Sequence, residues 1–419
     1  KAFLLMAQIY LSTATLKKII MLYFLMRFIH FIILTMKNKR VAIIGEGGEW
    51  SALSLVRELG KNGYICVGIF RSNNVIRYSK FTSLFFKLGM NLDEDEYIKK
   101  IKYILLKLKI DKIICLHDNT KESVMKNLDF FSNFNFLAPS LKSFKIALNK
   151  SSSINFVDKL GIPVPEVYEI RNHKDLSKLT FSNNNKYVIK GNRGVSSKNV
   201  RYALNQEEAI KKYKEIDKLD NYQSKEHFAP IVQKYIPGPT YLTQAICNKG
   251  KVLSVIPHYK FREWPDTGGI SCRAKTITSE KLIKYTKRVL EELEWHGEAG
   301  LEWKYDSNEK DFYFLEINPR FEGSLDIAIK SGVNLPLILI DIMSGHTNHN
   351  LVYKPETHYR WFFRYDFKSF LYGQGNISTY ISECFNPAIN GELSFNDFKI
   401  IKGFYKRPIK DVIERINNA

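Results

Sequence analysis

The run Leu315-Glu316-Ile317-Asn318-Pro319-Arg320 sets an acid, an amide and a base among apolar neighbours at the end of a β-type stretch. A second acid, Glu302, lies in the preceding stretch Leu301–Tyr305. The turn-rich Asp306-Ser307-Asn308-Glu309-Lys310-Asp311 separates the two, so a hairpin is expected. Side chains alternate across a strand, which places Glu302 on a face with Lys304, and Glu316 on a face with Phe312, Phe314 and Asn318. With a loop centred on Glu309, Glu302 faces Glu316, and two carboxylates about 5 Å apart repel unless a cation lies between them. Two carboxylates and an amide are hard oxygen donors. They suit Mg²⁺, which keeps its other positions for water and nucleotide phosphates, and Arg320 would bring a second cation to the same phosphates. An exposed hairpin with one charged face accounts for a single Glu, but not for polar residues flanked this consistently by apolar ones.

A second phosphate-type element follows a strand that ends at Lys190. In Gly191-Asn192-Arg193-Gly194-Val195-Ser196-Ser197 the glycines and small hydroxyls allow backbone N–H groups to approach an anion without interference from a Cβ. Taken alone, this loop is equally well read as a solvated turn.

Together these runs resemble the motifs of ATP-grasp enzymes, in the branch that contains carbamoyl-phosphate synthetase large-subunit domains and carboxylate–amine ligases. The resemblance extends from Met36 to residue 350. It implies that Glu302, Glu316 and Asn318 hold two Mg²⁺ ions, with Mn²⁺ as the alternative metal, and that Arg320 contacts phosphate. Lys150, in Leu148-Asn149-Lys150, takes the place of the first nucleotide-contacting base. Lys190 with Gly194, Ser196 and Ser197 resembles the loop that closes over the phosphates. Pro230–Gly238 resembles the linker between the two lobes, with Gln233, Lys234, Tyr235 and Ile236 at the adenine, and Thr240 stands where many relatives place a ribose-binding acid. The stretch His258–Thr276 resembles the acceptor region. It sets Lys260, Arg262 and Arg273 around Thr267-Gly268-Gly269-Ile270-Ser271, and Arg262 and Arg273 are expected on a substrate carboxylate or acyl phosphate.

The activity implied is ADP-forming ligation. A carboxylate takes the γ-phosphate of ATP to give an acyl phosphate, an amine displaces the phosphate, and Lys190, Arg273 and Arg320 offset the charge. Partners are then a small-molecule acid and an amine, in a cytoplasmic protein whose oligomeric state, a homodimer included, is left open. No nucleophilic side chain is needed, and no Ser/His/Asp or Cys/His arrangement is apparent in the sequence. The runner-up reading is phosphorylation of bicarbonate or carbamate, as in carbamoyl-phosphate synthetase; a single ATP-grasp unit in the given length counts against it. From other classes come a non-catalytic ATP-binding protein and a basic protein that binds nucleic acid or a membrane surface.

These residues need a scaffold of α/β plus α+β type, with a doubly wound N-terminal domain followed by a two-lobed ATP-grasp fold. Val41–Ile44, the turn Gly45-Glu46-Gly47-Gly48, a helical stretch to Gly63 and the strand Tyr64–Phe70 form a βαβ opening. A dinucleotide reading of that turn fails because the strand end where an acid belongs is Phe70-Arg71. Expected boundaries are 36–145 for this domain, 146–235 for the first lobe, 236–350 for the second with the metal site, and 351–419 for a basic, aromatic extension. Residues 1–35 form a hydrophobic extension, interrupted by Arg27 and His30, which makes it a poor bilayer span. A mis-start upstream of Met36 is the favoured reading of this extension, an anchor the alternative, and membrane contact follows only if the segment is retained.

The whole chain has 419 residues and 63 basic against 43 acidic side chains, a net charge of +20. With 45% apolar and 13% aromatic residues it is neither disordered nor low-complexity. Its Lys-rich excess is spread along the chain, with no continuous basic helix face, so nucleic acid is not an expected partner. Five cysteines, none in a CxxC pair, fit neither a disulfide framework nor a zinc site. His346 and His349 read as a surface loop.

Overall fold

The computed structural model describes residues 39–404 apart from 169, 171, 179–185, 195–198, 224–227, 267, 347–349, 374–375 and 393–394. The hydrophobic extension, Ser196, Ser197, Thr267 and His349 therefore lie outside the described residues.

The N-terminal unit is a parallel sheet. Strand β1 (Arg40–Gly45), helix α1 (Ser51–Lys61), β2 (Ile65–Phe70) and β3 (Thr82–Lys87) are followed by α2 (Glu94–Lys107), β4 (Lys112–Cys115) and α3 (Asp118–Lys126). The strand order is β3-β2-β1-β4. β1 is buried throughout, and its Val41–Ile44 is a continuous apolar run, as expected of a strand covered on both faces. Helix α2 starts on the Asp93 side chain, which accepts from Glu96 N, and buries Tyr97, Ile98, Ile101, Ile104 and Leu105.

Helices α4 (Leu141–Leu148) and α5 (Lys150–Lys159) lead into a small antiparallel sheet of β5 (Val167–Tyr168), β6 (Tyr187–Lys190), β7 (Val200–Ala203) and, after α6 (Gln206–Gln223), β8 (Ile231–Lys234). Its order is β5-β8-β6-β7. Next come β9 (Thr240–Asn248), β10 (Lys251–Trp264), β11 (Ile270–Thr276), α7 (Glu280–Glu292), β12 (Gly297–Asp306) and β13 (Asp311–Asn318). Helices α8 (Leu325–Lys330) and α9 (Leu335–Met343) pack Leu325, Ala328 and Ile338 into the same core as Leu55 and Leu59 of α1, joining the second lobe to the N-terminal unit.

The residues beyond 350 complete the large sheet. β14 (His358–Arg360) pairs antiparallel with β11, and after α10 (Phe367–Leu371) and α11 (Ile377–Phe385) β15 (Ile389–Gly391) adds parallel to β14. The order is β13-β12-β9-β10-β11-β14-β15. The chain then crosses to the N-terminal unit. Asp397, fully buried, accepts from Arg57 Nε at 3.0 Å, Ser79 Oγ at 2.8 Å and Lys80 N at 2.9 Å. Helix α12 (Ile401–Phe404) ends with the Phe404 ring stacked on Trp50, 6.1 Å between centroids. Among the described residues no helix is long and apolar enough to cross a membrane.

Candidate functional site

One cavity of about 540 Å³ opens between the small sheet, the large sheet and the Gly-rich turn after β1. Its floor is the β12–β13 hairpin. Glu302 pairs directly with Glu316, but the register shifts immediately beyond: Trp303 faces Phe314, Tyr305 faces Phe312 and Asp306 faces Asp311. The shift is a β-bulge at Leu315, so Leu315 and Glu316 together oppose Glu302. This overturns the expectation that Glu316 shares a face with Phe312 and Phe314. Both phenylalanines pack in the core behind the sheet, whereas Leu315, Glu316 and Asn318 line the cavity. Glu302 and Lys304 do share the cavity face.

Three lysines converge on this floor. Lys150, at the first turn of α5, places Nζ 3.2 Å from Glu316 Oε2 and 3.2 Å from the Gly194 carbonyl. Lys190, at the end of β6 and buried, reaches the carbonyl of the bulge residue Leu315 at 3.5 Å. Lys260 on β10 bonds Glu302 and, at 3.1 Å, the Gly269 carbonyl, with Glu263 at 3.7 Å. The charges act on one another. Burial pulls the Lys190 ammonium down to about 8, and Glu316 offsets this only in part. Burial works to raise the Glu316 carboxyl, but Lys150 and Lys190 outweigh it and hold the group below its ordinary range. Lys260 shows the same contest with the opposite sign: burial opposes its charge, and Glu302 and Glu263 raise its affinity for the proton.

The loop after β13 is fixed from the N-terminal unit. Helix α3 sends Asp118 to Arg320 Nε at 3.0 Å and the fully buried Lys121 to the Pro319 carbonyl at 2.9 Å and to Glu298 at 2.7 Å. Arg320 in turn donates to Asn318 Oδ1 at 3.0 Å, and Asn318 Nδ2 donates to Glu322 Oε1 at 2.8 Å. Glu322 packs so closely over Gly300 that a Cβ there would lie 2.2 Å from its Oε1, which explains a residue without a side chain in mid-strand. Burial lifts the Glu322 carboxyl to about 7 against the pull of Arg320. At the inter-lobe linker, Gln233 Oε1 and Thr240 Oγ1 are buried without a hydrogen-bond partner among the described residues, and both residues line the cavity.

Residues 226–362 match a family model described as ATP-grasp in the biosynthetic pathway with Ter operon. The carbamoyl phosphate synthase large chain of Pyrococcus furiosus is 28% identical over 210 residues, 48% of this chain and 19% of that one. The chain thus spans about a fifth of that relative's length. Among solved structures, biotin carboxylase from Campylobacter jejuni in its β,γ-ATP complex superposes with a TM-score of 0.63 at 17% identity, over 76% of this chain and 74% of that one. The ADP complex of N5-carboxyaminoimidazole ribonucleotide synthetase gives 0.59 at 16% identity over 75% and 79%. The L-amino acid ligase of Bacillus licheniformis gives 0.58 at 16% identity over 75% and 77%.

The chain has the ATP-grasp fold. Of the residues singled out in the sequence, Lys150, Lys190, Gln233, Tyr235, Ile236 and Thr240 line the ATP-grasp cavity, as do Gly268, Gly269 and Ser271, and Glu302, Glu316, Asn318 and Arg320. Gly194 touches it through Lys150, and Lys234 points to solvent. Arg262 and Arg273 do not reach it. A bulge at Phe261 breaks the β10–β11 register, so that Arg262 pairs with Arg273 on the face away from Lys260. There Arg262 binds Asp366 at 2.7 Å and Glu383 at 2.5 Å, Arg273 binds Glu383, and Arg360 binds Asp366. The residues beyond 350 supply both acids, and no local pattern in the sequence links them to these arginines. Among the described cations of the stretch His258–Thr276, it is Lys260 that lines the cavity.

The Gly-rich turn after β1 holds no dinucleotide phosphate site, in keeping with the sequence reading. Its backbone N–H groups at Glu46 and Gly47 donate at 2.7 and 2.8 Å to the chain's own Glu49 carboxylate, which fills the position a dinucleotide phosphate would need. Glu46, Glu49, Trp50 and His117 instead form the N-terminal wall of the ATP-grasp cavity. His346 lies on the surface, as expected.

Among the described residues no three His, Cys, Asp or Glu side chains form a cage that could hold an ion unaided. Two facing carboxylates with an amide oxygen beside them do fit Mg²⁺, which takes few protein ligands and completes its shell from water and phosphate. In this structure Lys150 and Lys260 sit on those carboxylates and balance their charge.

Proposed function

We propose that the chain is an ATP-dependent, ADP-forming ligase that activates a small-molecule carboxylate as an acyl phosphate and joins it to an amine. The observation that carries this reading is the convergence in one cavity of the facing Glu302–Glu316 pair, the cations Lys150, Lys190 and Arg320, and the side-chain oxygens of Gln233 and Thr240, which have no hydrogen-bond partner among the described residues. The names of the neighbours, among them an amino acid ligase and two enzymes with bound ATP or ADP, support it.

In this reading Gln233 and Thr240 meet the base and ribose, and Lys150, Lys190 and Arg320 surround the phosphates. Glu302, Glu316 and Asn318 would hold Mg²⁺, and the ion would supply charge neutralisation for the phosphates. The carboxylate oxygen attacks the γ-phosphorus and the bond to ADP breaks. The amine nitrogen then attacks the acyl carbon, phosphate leaves with the bonding pair, and the proton lost by the amine passes to solvent. Lys190 is suited to its place because its buried ammonium has no full counter-ion and gains one when phosphate arrives. The protein supplies position and field, as phosphoryl transfer requires.

A phosphate-release screen of acids and amines tests this: ADP and phosphate are expected only when acid and amine are both present. A second reading, phosphorylation of bicarbonate, is favoured by the likeness to carbamoyl phosphate synthase, and predicts release that follows bicarbonate with no other acid added.

A further inference from the structure

His258 and Ser324, which the nucleotide reading leaves unused, meet at the wall of the cavity. His258 lies on β10, fully buried, with Nε2 3.0 Å from Ser324 Oγ and Nδ1 3.5 Å from the Ile256 carbonyl. A carbonyl oxygen only accepts, so in the neutral ring Nδ1 carries the proton and Nε2 is an acceptor. The ring is neutral because it is fully buried, has no carboxylate partner among the described residues, and has Lys260 two residues along the strand. Ser324 must therefore donate its single hydroxyl proton to Nε2, which leaves its lone pairs as the only function it can turn elsewhere. Its backbone is held as well: Gln244 Nε2 donates to the Ser324 carbonyl at 3.0 Å.

A Ser–His contact first suggests a nucleophile, but the physical chemistry argues otherwise. Activation would require His258 to take the proton and become a buried imidazolium beside Lys260, with only a carbonyl at Nδ1 to stabilise it. Fixing a hydroxyl's direction carries no such cost.

Ser324 lines the cavity together with Glu322 and Gly323, one turn of chain beyond Arg320. This wall offers the Glu322 carboxyl and a hydroxyl oxygen, and the cations nearest to it are committed elsewhere, Arg320 to Asp118 and Asn318 and Lys260 to Glu302 and the Gly269 carbonyl. Such a surface suits a nucleophile rich in N–H groups and repels an anionic one. We infer that Ser324, oriented by His258, is the hydrogen-bond acceptor that seats the amine nucleophile, with Glu322 beside it favouring amines over anionic acceptors. The inference rests on the ligase reading and adds where, and by which groups, the second substrate is held. Ser324 touches substrate; His258 acts through it as a positioning residue.

The test uses the full chain with Mg-ATP, an acid taken from the release screen and hydroxylamine as the amine probe, with hydroxamate as the readout. Ser324→Ala should raise the hydroxylamine KM about tenfold, the effect of one lost hydrogen bond, while the ATP KM stays within about twofold. Ser324→Thr should restore it. His258→Leu should raise the same KM in the otherwise native chain and add nothing on the Ser324→Ala background. Should His258→Leu not fold, Ser324→Ala against Ser324→Thr decides. A hydroxylamine KM that Ser324→Ala leaves unchanged, or one that rises in step with the ATP KM, overturns the role while acid-dependent ADP release in the native chain keeps the ligase reading. Native ADP release that ignores every acid overturns the ligase reading, and this role with it.

Discussion

Two clusters of basic residues lie on opposite faces of the large sheet and differ in what balances them. On the cavity face, Lys150, Lys190 and Lys260 share the carboxylates of Glu302 and Glu316, and among the described residues Lys190 makes its hydrogen bond to a carbonyl, that of Leu315. On the other face, Arg262, Arg273 and Arg360 are interlocked with Asp366 and Glu383 from the C-terminal residues. Arginine's planar fork suits such a closed lattice, and lysine's single point charge suits a site where partners must change. The difference teaches that a conspicuous run of Arg beside a Gly-Gly loop can be structural, while less conspicuous lysines face the chemistry.

The largest effect expected from breaking this contrast is on the cavity face. Glu316→Ala should abolish acid- and amine-dependent phosphate release, by about 10³-fold or more, with the fold intact by circular dichroism. Undiminished turnover in that variant would sink the metal assignment. Lys190→Met should cost about 10²–10³-fold in the same assay. On the other face, Arg273→Ala leaves Glu383 short of a partner and should destabilise the fold by about 3–5 kcal/mol in denaturant unfolding, with turnover of the folded fraction close to native. If instead it spares stability and removes turnover, the two faces have been assigned the wrong way round. At the linker, Gln233→Leu should raise the ATP KM by about tenfold or less, the scale of one hydrogen bond, in steady-state kinetics.

The smallest effect concerns pH. His258 has its folded pKa depressed by burial from 6.5 to about 3, so the unfolded chain binds more protons between those values. Its contribution is fully present above pH 6.5 and is lost as the pH falls towards 3. Thermal unfolding followed over that range should show a shallower decline in His258→Leu than in the native chain.

The opposition of Glu302 to Glu316 was legible in the sequence, yet the reason behind it was incomplete. A regular hairpin with that pairing would have put Phe312 and Phe314 beside Glu316, in the cavity. The bulge at Leu315 returns both rings to the core, and its carbonyl is the one that Lys190 reaches. The second bulge, at Phe261, separates Lys260 from Arg262, two residues that strict alternation places on one face. Glu322 was passed over because it falls just outside the recognised motif, although its position two residues after Arg320 and the bare Gly300 in the facing strand were available signals. The Ser324–His258 contact spans 66 residues and joins a loop to a neighbouring strand, so no spacing rule could disclose it.

The sequence by itself determined which element types form, their order and the oxygen-donor chemistry of the β13 motif. Apolar periodicity, turn residues and side-chain chemistry are local properties that survive in a string of letters. The tertiary structure decided which charges are offered to the cavity and which are cancelled behind it. That depends on two one-residue bulges that reverse side-chain direction, and on acids from the C-terminal residues brought against strands about a hundred positions earlier.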